Sequence, residues 1–220
     1  MIQKIHDVKL KIGNLNRGMT ILELLVVLGI FALISTVAIF NYGTFQSKID
    51  ITNLADDIAL QVVQAQNASL SGLLPAAGQQ VNEIANWKPS YGVYFSSSTG
   101  LPDLKGADTK DFIYFVDLDD GQDYDSAGGC GAPLTGECIS KYTITTSNSI
   151  SSLSAYYTDG THVSLTNATI TFARPNSGAA IKSNIVFPKT VAYLEVAITS
   201  PKGTVTSTID LYSSGRVQIN

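Results

Sequence analysis

Charged residues are scarce in this sequence, and so are the residue types that build most catalytic and metal sites. Asp, Glu, Lys and Arg make up only 15% of the 220 residues, and the chain has two histidines and two cysteines. His6 precedes a long apolar run, and His162 lies in a predicted strand with no nucleophile motif beside it. The sequence therefore predicts a protein that is not an enzyme.

Basic charge is also scarce beyond the N-terminus. The chain has 14 basic and 18 acidic residues. Four of the basic residues and one aspartate precede the apolar run, so the rest of the chain has a net charge of about −7. We see no cluster of Lys and Arg in it. A net-acidic body has no general affinity for phosphates, so nucleic acid is not a predicted partner.

An apolar run from Met19 to Phe40 is the most distinctive feature of the sequence. As a helix it would span roughly 33 Å, which matches the hydrocarbon core of a bilayer. The basic segment comes first, so the positive-inside rule leaves that segment in the cytoplasm and the C-terminal body outside. An ordinary secretory signal is the alternative, but its apolar region would be shorter, and TVA at 36–38 is a weak cleavage site.

Glu23 is the only residue in this apolar run whose side chain carries a charge. On insertion scales, an acidic residue at the centre of a membrane helix costs roughly 3 kcal/mol. A charged residue retained at that cost indicates a functional role.

The junction RG|MTILELLVVLGI resembles the processing site of type IV prepilins and type II secretion pseudopilins. The resemblance rests on a basic leader that ends in Gly18, on Met19 and Thr20 after it, and on Glu23 as the fifth residue of the mature chain. It implies cleavage between Gly18 and Met19 by a prepilin peptidase, N-methylation of Met19, and assembly of subunits through their N-terminal helices into a pilus or pseudopilus.

The same resemblance implies partners and a location. The partners are the peptidase, other pilin or pseudopilin subunits, an inner-membrane assembly platform and membrane lipid. The protein would first be a single-pass protein of the cytoplasmic membrane and then part of a cell-surface or periplasmic filament. The alternative is an uncleaved bitopic membrane protein that displays an extracytoplasmic ligand- or calcium-binding domain.

Cleavage would give Glu23 a cationic partner. The new α-amine of Met19 would be mostly protonated at neutral pH. Glu23 would pair either with the Met19 amine of a neighbouring subunit or with its own, one helical turn away. The residues leave both pairings open, and the family resemblance favours the first.

The chain divides into four predicted segments. Residues 1–18 are the leader, 19–40 the transmembrane and assembly helix, 41–72 an amphipathic helix, and 73–220 a β-rich extracytoplasmic body. The amphipathic segment has an apolar stripe at helical spacing, which consists of Ile51, Leu54, Ile58, Val62 and Ala65. Gly72 is a natural stop for the helix.

After Pro89 the apolar pattern changes to period two. This period predicts strands at 91–95, 111–117, 141–146, 168–174, 191–199, 204–212 and 215–219, the last three forming a meander. The predicted fold class is α+β, a long N-terminal helix packed on a mainly antiparallel sheet, as in pilins. The order of these elements loosely resembles H-type minor pseudopilins and related minor pilins.

Cys130 and Cys138 are the only cysteines. Two cysteines in an extracytoplasmic loop predict a disulfide.

The segment DLDDGQDYD at 117–125 is the densest acidic cluster. Asp117, Asp119, Asp123 and Asp125 offer hard oxygen ligands on a turn that contains glycine, as calcium prefers. The segment does not fit an EF-hand, because Gly121 falls where the third ligand should be. A solvated acidic turn is the alternative. Related secretion filaments bind calcium in loops, so the resemblance requires no cofactor but makes calcium a candidate ligand.

Overall fold

The computed structural model describes residues 19–76, 79, 89–99, 103, 105–125, 130, 136–175 and 178–220. The predicted leader, 1–18, lies outside the described residues. The helix and the ten strands of this part of the chain are α1 (Ile21–Ser71), β1 (Ser90–Ser96), β2 (Asp111–Asp117), β3 (Cys138–Thr143), β4 (Ser149–Tyr157), β5 (His162–Leu165), β6 (Asn167–Phe172), β7 (Ala179–Lys182), β8 (Val191–Thr199), β9 (Thr206–Tyr212) and β10 (Val217–Ile219). Two compact units divide the chain between Gly43 and Thr44, and α1 contributes residues to both.

The strands of the second unit form two sheets. The first sheet has the order β3-β2-β1-β6-β7 and the second has the order β10-β9-β8-β4-β5. Each pair of neighbouring strands is antiparallel. The predicted α+β class is confirmed, and so is the predicted meander, which is β8-β9-β10.

The C-terminal half of α1 contributes one face to the core of this unit. The predicted apolar stripe is buried and shares one hydrophobic cluster with residues of both sheets. Ile58 and Ala65 are fully buried, whereas Leu60, which is off the stripe, is 60% exposed. Packing of one apolar face accounts for a helix whose other face remains polar or exposed.

Two strands of the first sheet are buried on both faces. Every residue of β1 and β2 is buried. One face of these strands belongs to the main cluster, and the other belongs to a second cluster that includes Tyr94, Phe115 and Tyr124. The Tyr124 ring centroid lies 5.4 Å from the centroid of each of the other two rings. The acidic segment that contains Tyr124 therefore covers the outer face of this sheet.

The end of α1 is fixed to the first sheet. The N–H of Leu73 donates to the carbonyl of Ala68 and the N–H of Gly72 to that of Ser69, which is a Schellman motif with Gly72 at a φ of 69°. The Ser69 hydroxyl donates to the Phe172 carbonyl in β6 at 2.6 Å. The Tyr91 hydroxyl in β1 donates to the Leu73 carbonyl at 2.9 Å. The predicted stop at Gly72 is thus where the helix ends.

Several strand predictions need correction. β3 begins three residues before the predicted start at 141, and β4 and β7 were not predicted at all. In β4 four of the nine residues are serine, and a register shift between Ile150 and Ser152 breaks the alternation. A bulge moves later side chains to the opposite face, so a strict period-two pattern does not detect such a strand.

Candidate functional site

Thr20 caps the N-terminus of α1. The N–H of Glu23 donates to Thr20 Oγ1 at 3.2 Å, and the N–H of Leu24 donates to the Thr20 carbonyl at 3.1 Å. Thr at the N-cap with Glu at the third helical position is the sequence of a capping box. The threonine half of this box is present. Among the residues that the structure describes, no hydrogen bond or ion pair involves the Glu23 carboxylate.

The helix that follows the cap exposes apolar side chains on all sides. Ile21 is 80% exposed and Leu33 is 72% exposed. α1 is long and apolar enough to cross a membrane. Exposed apolar surface on this scale marks contact with lipid or with other proteins.

Comparison with known protein families decides what this N-terminus is. A family model described as the prokaryotic N-terminal methylation motif matches residues 13–39. The chain carries this methylation motif. The matched range includes Gly18, Met19 and Glu23, so the resemblance to type IV prepilin-like pilins and pseudopilins is confirmed.

The comparisons reach no further than this segment. Neither the curated proteins nor the solved structures gave a significant match. The loose resemblance of the body to H-type minor pseudopilins therefore stays a prediction.

The methylation motif has consequences for processing and location. It makes the chain a prepilin peptidase substrate of the type IV pilin kind, and it implies contacts with the peptidase and with other pilin subunits. Together with the apolar helix, it anchors the chain in a membrane with the body C-terminal to the anchor. Gly18 lies outside the described residues, so the cleaved bond and the methylation of Met19 stay predictions, as do the four segment boundaries.

The predicted disulfide is confirmed. Cys130 and Cys138 are bonded, and their Cα atoms are 4.9 Å apart. Cys138 begins β3 and is buried, and Cys130 packs against the second cluster beside Tyr124. The bond thus secures the segment that covers the outer face of the first sheet.

The acidic turn after β2 places three carboxylates together, and one of them was not predicted. Ligand oxygens of Asp117, Asp119 and Glu137 all lie within 4.8 Å of one another. Asp117 is 1% exposed and Glu137 is 5% exposed. Glu137 reaches this group because β3 pairs with β2 and the N–H of Val116 donates to the Glu137 carbonyl at 2.9 Å.

Backbone N–H groups hold the two buried carboxylates in place. Asp117 accepts hydrogen bonds from the N–H groups of Gly121 and Gln122, at 3.1 and 2.9 Å. Glu137 accepts from the N–H groups of Leu118 and Asp125, at 3.0 and 2.6 Å. The two side chains therefore fix the path of the turn between residues 117 and 125.

Burial raises the pKa of both carboxyl groups. The pKa of Asp117 rises to about 6, chiefly through burial, and the neighbouring Asp119 adds to the rise. The pKa of Glu137 rises to about 7, again chiefly through burial. In both cases the backbone hydrogen bonds oppose the rise but do not cancel it. Among the described residues, no positive side chain forms an ion pair with Asp117, Asp119 or Glu137.

The other two predicted calcium ligands have a different partner. Lys105 Nζ lies 3.3 Å from Asp123 Oδ2 and 4.0 Å from Asp125 Oδ1, and it also donates to the Tyr124 carbonyl. A lysine in that position competes with a cation for the same carboxylates. Asp117, Asp119 and Glu137 are thus the carboxylates of the described residues that lie close enough together to hold one ion, and calcium binding by the four predicted aspartates stays a prediction.

The sequence contained a weak signal for Glu137. Glu137 directly precedes Cys138, and the predicted disulfide joins Cys138 to Cys130, which follows the acidic segment by five residues. This proximity does not indicate that Glu137 meets Asp117. Its role depends on strand pairing, which the sequence did not specify. His162, in contrast, is the exposed first residue of β5.

Proposed function

We propose that this protein is a structural subunit of a type IV pilus or type II secretion pseudopilus, assembled through its N-terminal helix after cleavage by a prepilin peptidase. One observation carries the proposal. An apolar helix segment with exposed side chains begins at Ile21, just after the predicted cleaved bond, and Glu23, the single carboxylate of the apolar run, has no partner among the described residues. We propose no catalytic activity for the protein.

Glu23 is available to a neighbouring subunit because the cap does not use its side chain. The helix start depends on the Thr20 hydroxyl and on the backbone N–H of Glu23. At 4 Å and an effective dielectric near 20, pairing with a protonated α-amine is worth about 4 kcal/mol before desolvation is subtracted. Such a pair offsets the cost of the carboxylate in the membrane and sets the axial position of one helix against the next.

Replacement of Glu23 by alanine separates this role from that of a plain anchor. Glu23→Ala keeps the backbone N–H that Thr20 accepts, so helix formation and membrane insertion should persist. Leader cleavage should also persist, and incorporation into filaments should fail. The measurements are the mass of the mature chain, its amount in the membrane fraction, and its amount in sheared filaments.

Asp56→Ala is the matched control, because Asp56 is an exposed carboxylate on the same helix outside the apolar run. This variant should enter filaments as the wild type does. Equal filament levels for Glu23→Ala and the wild type would refute the assembly role. They would favour the uncleaved bitopic protein if the leader were also retained.

We also propose calcium as a ligand of the acidic turn. The donor set is composed only of carboxylate oxygens, which suits a hard cation. A divalent cation would supply the positive charge that Asp117 and Glu137 lack. The Asp117 and Glu137 oxygens accept backbone hydrogen bonds, but each carboxylate oxygen has a second lone pair.

A further inference from the structure

A row of aromatic rings in contact crosses the outer face of the second sheet, and two of its three ring pairs are stacked. His162, Tyr156, Tyr193 and Tyr212 lie side by side on β5, β4, β8 and β9, with successive centroids 5.0, 4.6 and 5.1 Å apart. At one end of the row, the guanidinium carbon of Arg216 lies 3.8 Å from the centre of the Tyr212 ring. Tyr156, Tyr193 and Tyr212 are each half-buried.

Two carboxylates lie beside this row, and neither has an ion-pair partner among the described residues. Glu195 on β8 and Asp210 on β9 are directly opposite each other. Glu195 is two residues from Tyr193 along its strand, and Asp210 is two residues from Tyr212. Like charges opposite each other in a sheet are destabilising. Asp210 is only 8% exposed, its Oδ1 has no hydrogen-bond partner, and its Oδ2 accepts from the Asn220 amide at 2.9 Å. Within the described ranges neither carboxylate forms an ion pair.

The surrounding groups show that this face is electrostatically negative. Burial raises the pKa of Glu195, and the charge of Asp210 raises it further, while His162 lowers it. The pKa values of Tyr156 and Tyr193 are also raised, first by burial and then by these carboxylates. His162 is exposed at one end of the row, and Arg216 packs on Tyr212 at the other. Between these ends, no cation of the described residues forms an ion pair with Glu195 or Asp210.

The carboxylates and tyrosine rings of this face indicate which kind of group can bind to it. A nucleic acid or an acidic membrane would be repelled by Glu195 and Asp210. A guanidinium group can donate to a carboxylate and pack against tyrosine with little loss of hydration. Arg216 on Tyr212 shows that a ring of this row accepts such a group.

We propose that Tyr156, Tyr193, Tyr212, Glu195 and Asp210, here called the acidic tyrosine face, bind an arginine side chain of a protein partner. The guanidinium donates to the half-buried Glu195 carboxylate, and the buried Asp210 adds negative charge beneath it. The tyrosine rings form the wall along which the planar group lies. All five residues lie on the second sheet, so arginine binding at this face is independent of assembly through the N-terminal helix.

The probe for this proposal is the blocked peptide acetyl-Gly-Arg-Gly-amide. Its citrulline counterpart keeps the shape of the side chain but lacks the charge. The full-length protein in detergent micelles, with isotope-labelled tyrosine rings, is titrated with each peptide, and the ring signals are followed by NMR. We expect the arginine peptide to shift the signals of Tyr156, Tyr193 and Tyr212 and to bind about tenfold more tightly than the citrulline peptide.

Three variants, each of which removes one negative charge, complete the test. Glu195→Gln should lower the association constant of the arginine peptide about tenfold. Asp159→Asn, which removes one exposed carboxylate in the turn between β4 and β5, should leave it within about twofold. Asp210→Asn should also weaken binding, and the unshifted tyrosine signals of each variant report whether it is folded.

Four results would overturn the proposal. One is equal binding of the citrulline and arginine peptides, and another is a loss in Asp159→Asn as large as that in Glu195→Gln. The third is a response of the three tyrosines to calcium chloride but not to the peptide. The fourth is a shift of these signals with protein concentration alone, which would identify a second copy of the chain as the occupant.

Discussion

The end of α1 gives the most sharply defined prediction for stability. Gly72 has a φ of 69°, and the guanidinium of Arg174 lies against it, so that a Cβ added at Gly72 would be 2.6 Å from Arg174 Cζ. Gly72→Ala must therefore adopt a left-handed conformation and also displace the arginine. Gly160 has a similar φ of 83°, but nothing lies within 4 Å of its added Cβ. Gly160→Ala is thus the matched control.

The two variants should differ by the cost of moving the arginine. A left-handed conformation costs an L-residue about 1–2 kcal/mol. Alanine also reduces the conformational entropy of the unfolded chain, which stabilises both variants by about 0.4–1 kcal/mol and cancels in the comparison. A cation against the C-terminal carbonyls of a helix contributes about 0.3–2 kcal/mol. The left-handed cost also cancels, so Gly72→Ala should lower the free energy of unfolding by about 0.3–2 kcal/mol more than Gly160→Ala does.

A double-variant comparison identifies the cause. In an Arg174→Ala background the added methyl meets no guanidinium, so the cost of Gly72→Ala should fall to that of Gly160→Ala. The assay is chemical denaturation of the full-length protein in non-ionic detergent, followed by near-ultraviolet circular dichroism of the buried tyrosines. Equal costs for the two glycine variants, or a cost at Gly72 that Arg174→Ala does not change, would refute the reasoning.

Three further predictions concern processing, pH and metal. Gly18→Val, expressed with a prepilin peptidase, should keep its leader, because the bulky side chain blocks the bond; a shortened chain by mass spectrometry would contradict the predicted cleavage. In a metal-free buffer the free energy of unfolding should fall as the pH rises from about 4 to about 7, because folded Glu137 and Asp117 retain protons that the unfolded chain has lost. Glu137→Gln should reduce this slope in denaturation curves, and an unchanged slope would contradict the assignment. Millimolar calcium should raise the melting temperature at pH 7.5, and replacement of Asp117 and Asp119 by asparagine should abolish the increase. A wild-type melting temperature that does not respond to calcium would contradict calcium binding and favour a solvated acidic turn.

Features that depend on local period could be predicted from the sequence. The stripe from Ile51 to Ala65 indicated which face of α1 is buried, and Gly72 indicated where the helix ends. Turn residues between the last three strands indicated a meander. Thr20 and Glu23 also have the spacing of a capping box, which is a local signal for the start of the helix at Ile21.

Features that depend on long-range pairing could not be predicted in this way. The side chain of Glu137 meets those of Asp117 and Asp119 only because β3 pairs with β2. Glu195 and Asp210 lie opposite each other because of the register between β8 and β9, which a pattern of alternating residues does not specify. The division of the strands between two sheets could not be inferred, because strand β4, which joins β8 to β5 in the second sheet, is rich in serine and contains a bulge.

The attachment of α1 to the first sheet has a mechanical consequence. Ser69 is bonded to β6 and Leu73 to β1, and these strands are neighbours in the interior of the sheet order β3-β2-β1-β6-β7. Tension applied along the C-terminal part of the helix therefore enters the sheet through interior strands. Neighbouring strands on both sides share that load through their ladders of hydrogen bonds. An attachment at β3 or β7 would instead concentrate the force on an edge strand, which can peel away one bond at a time.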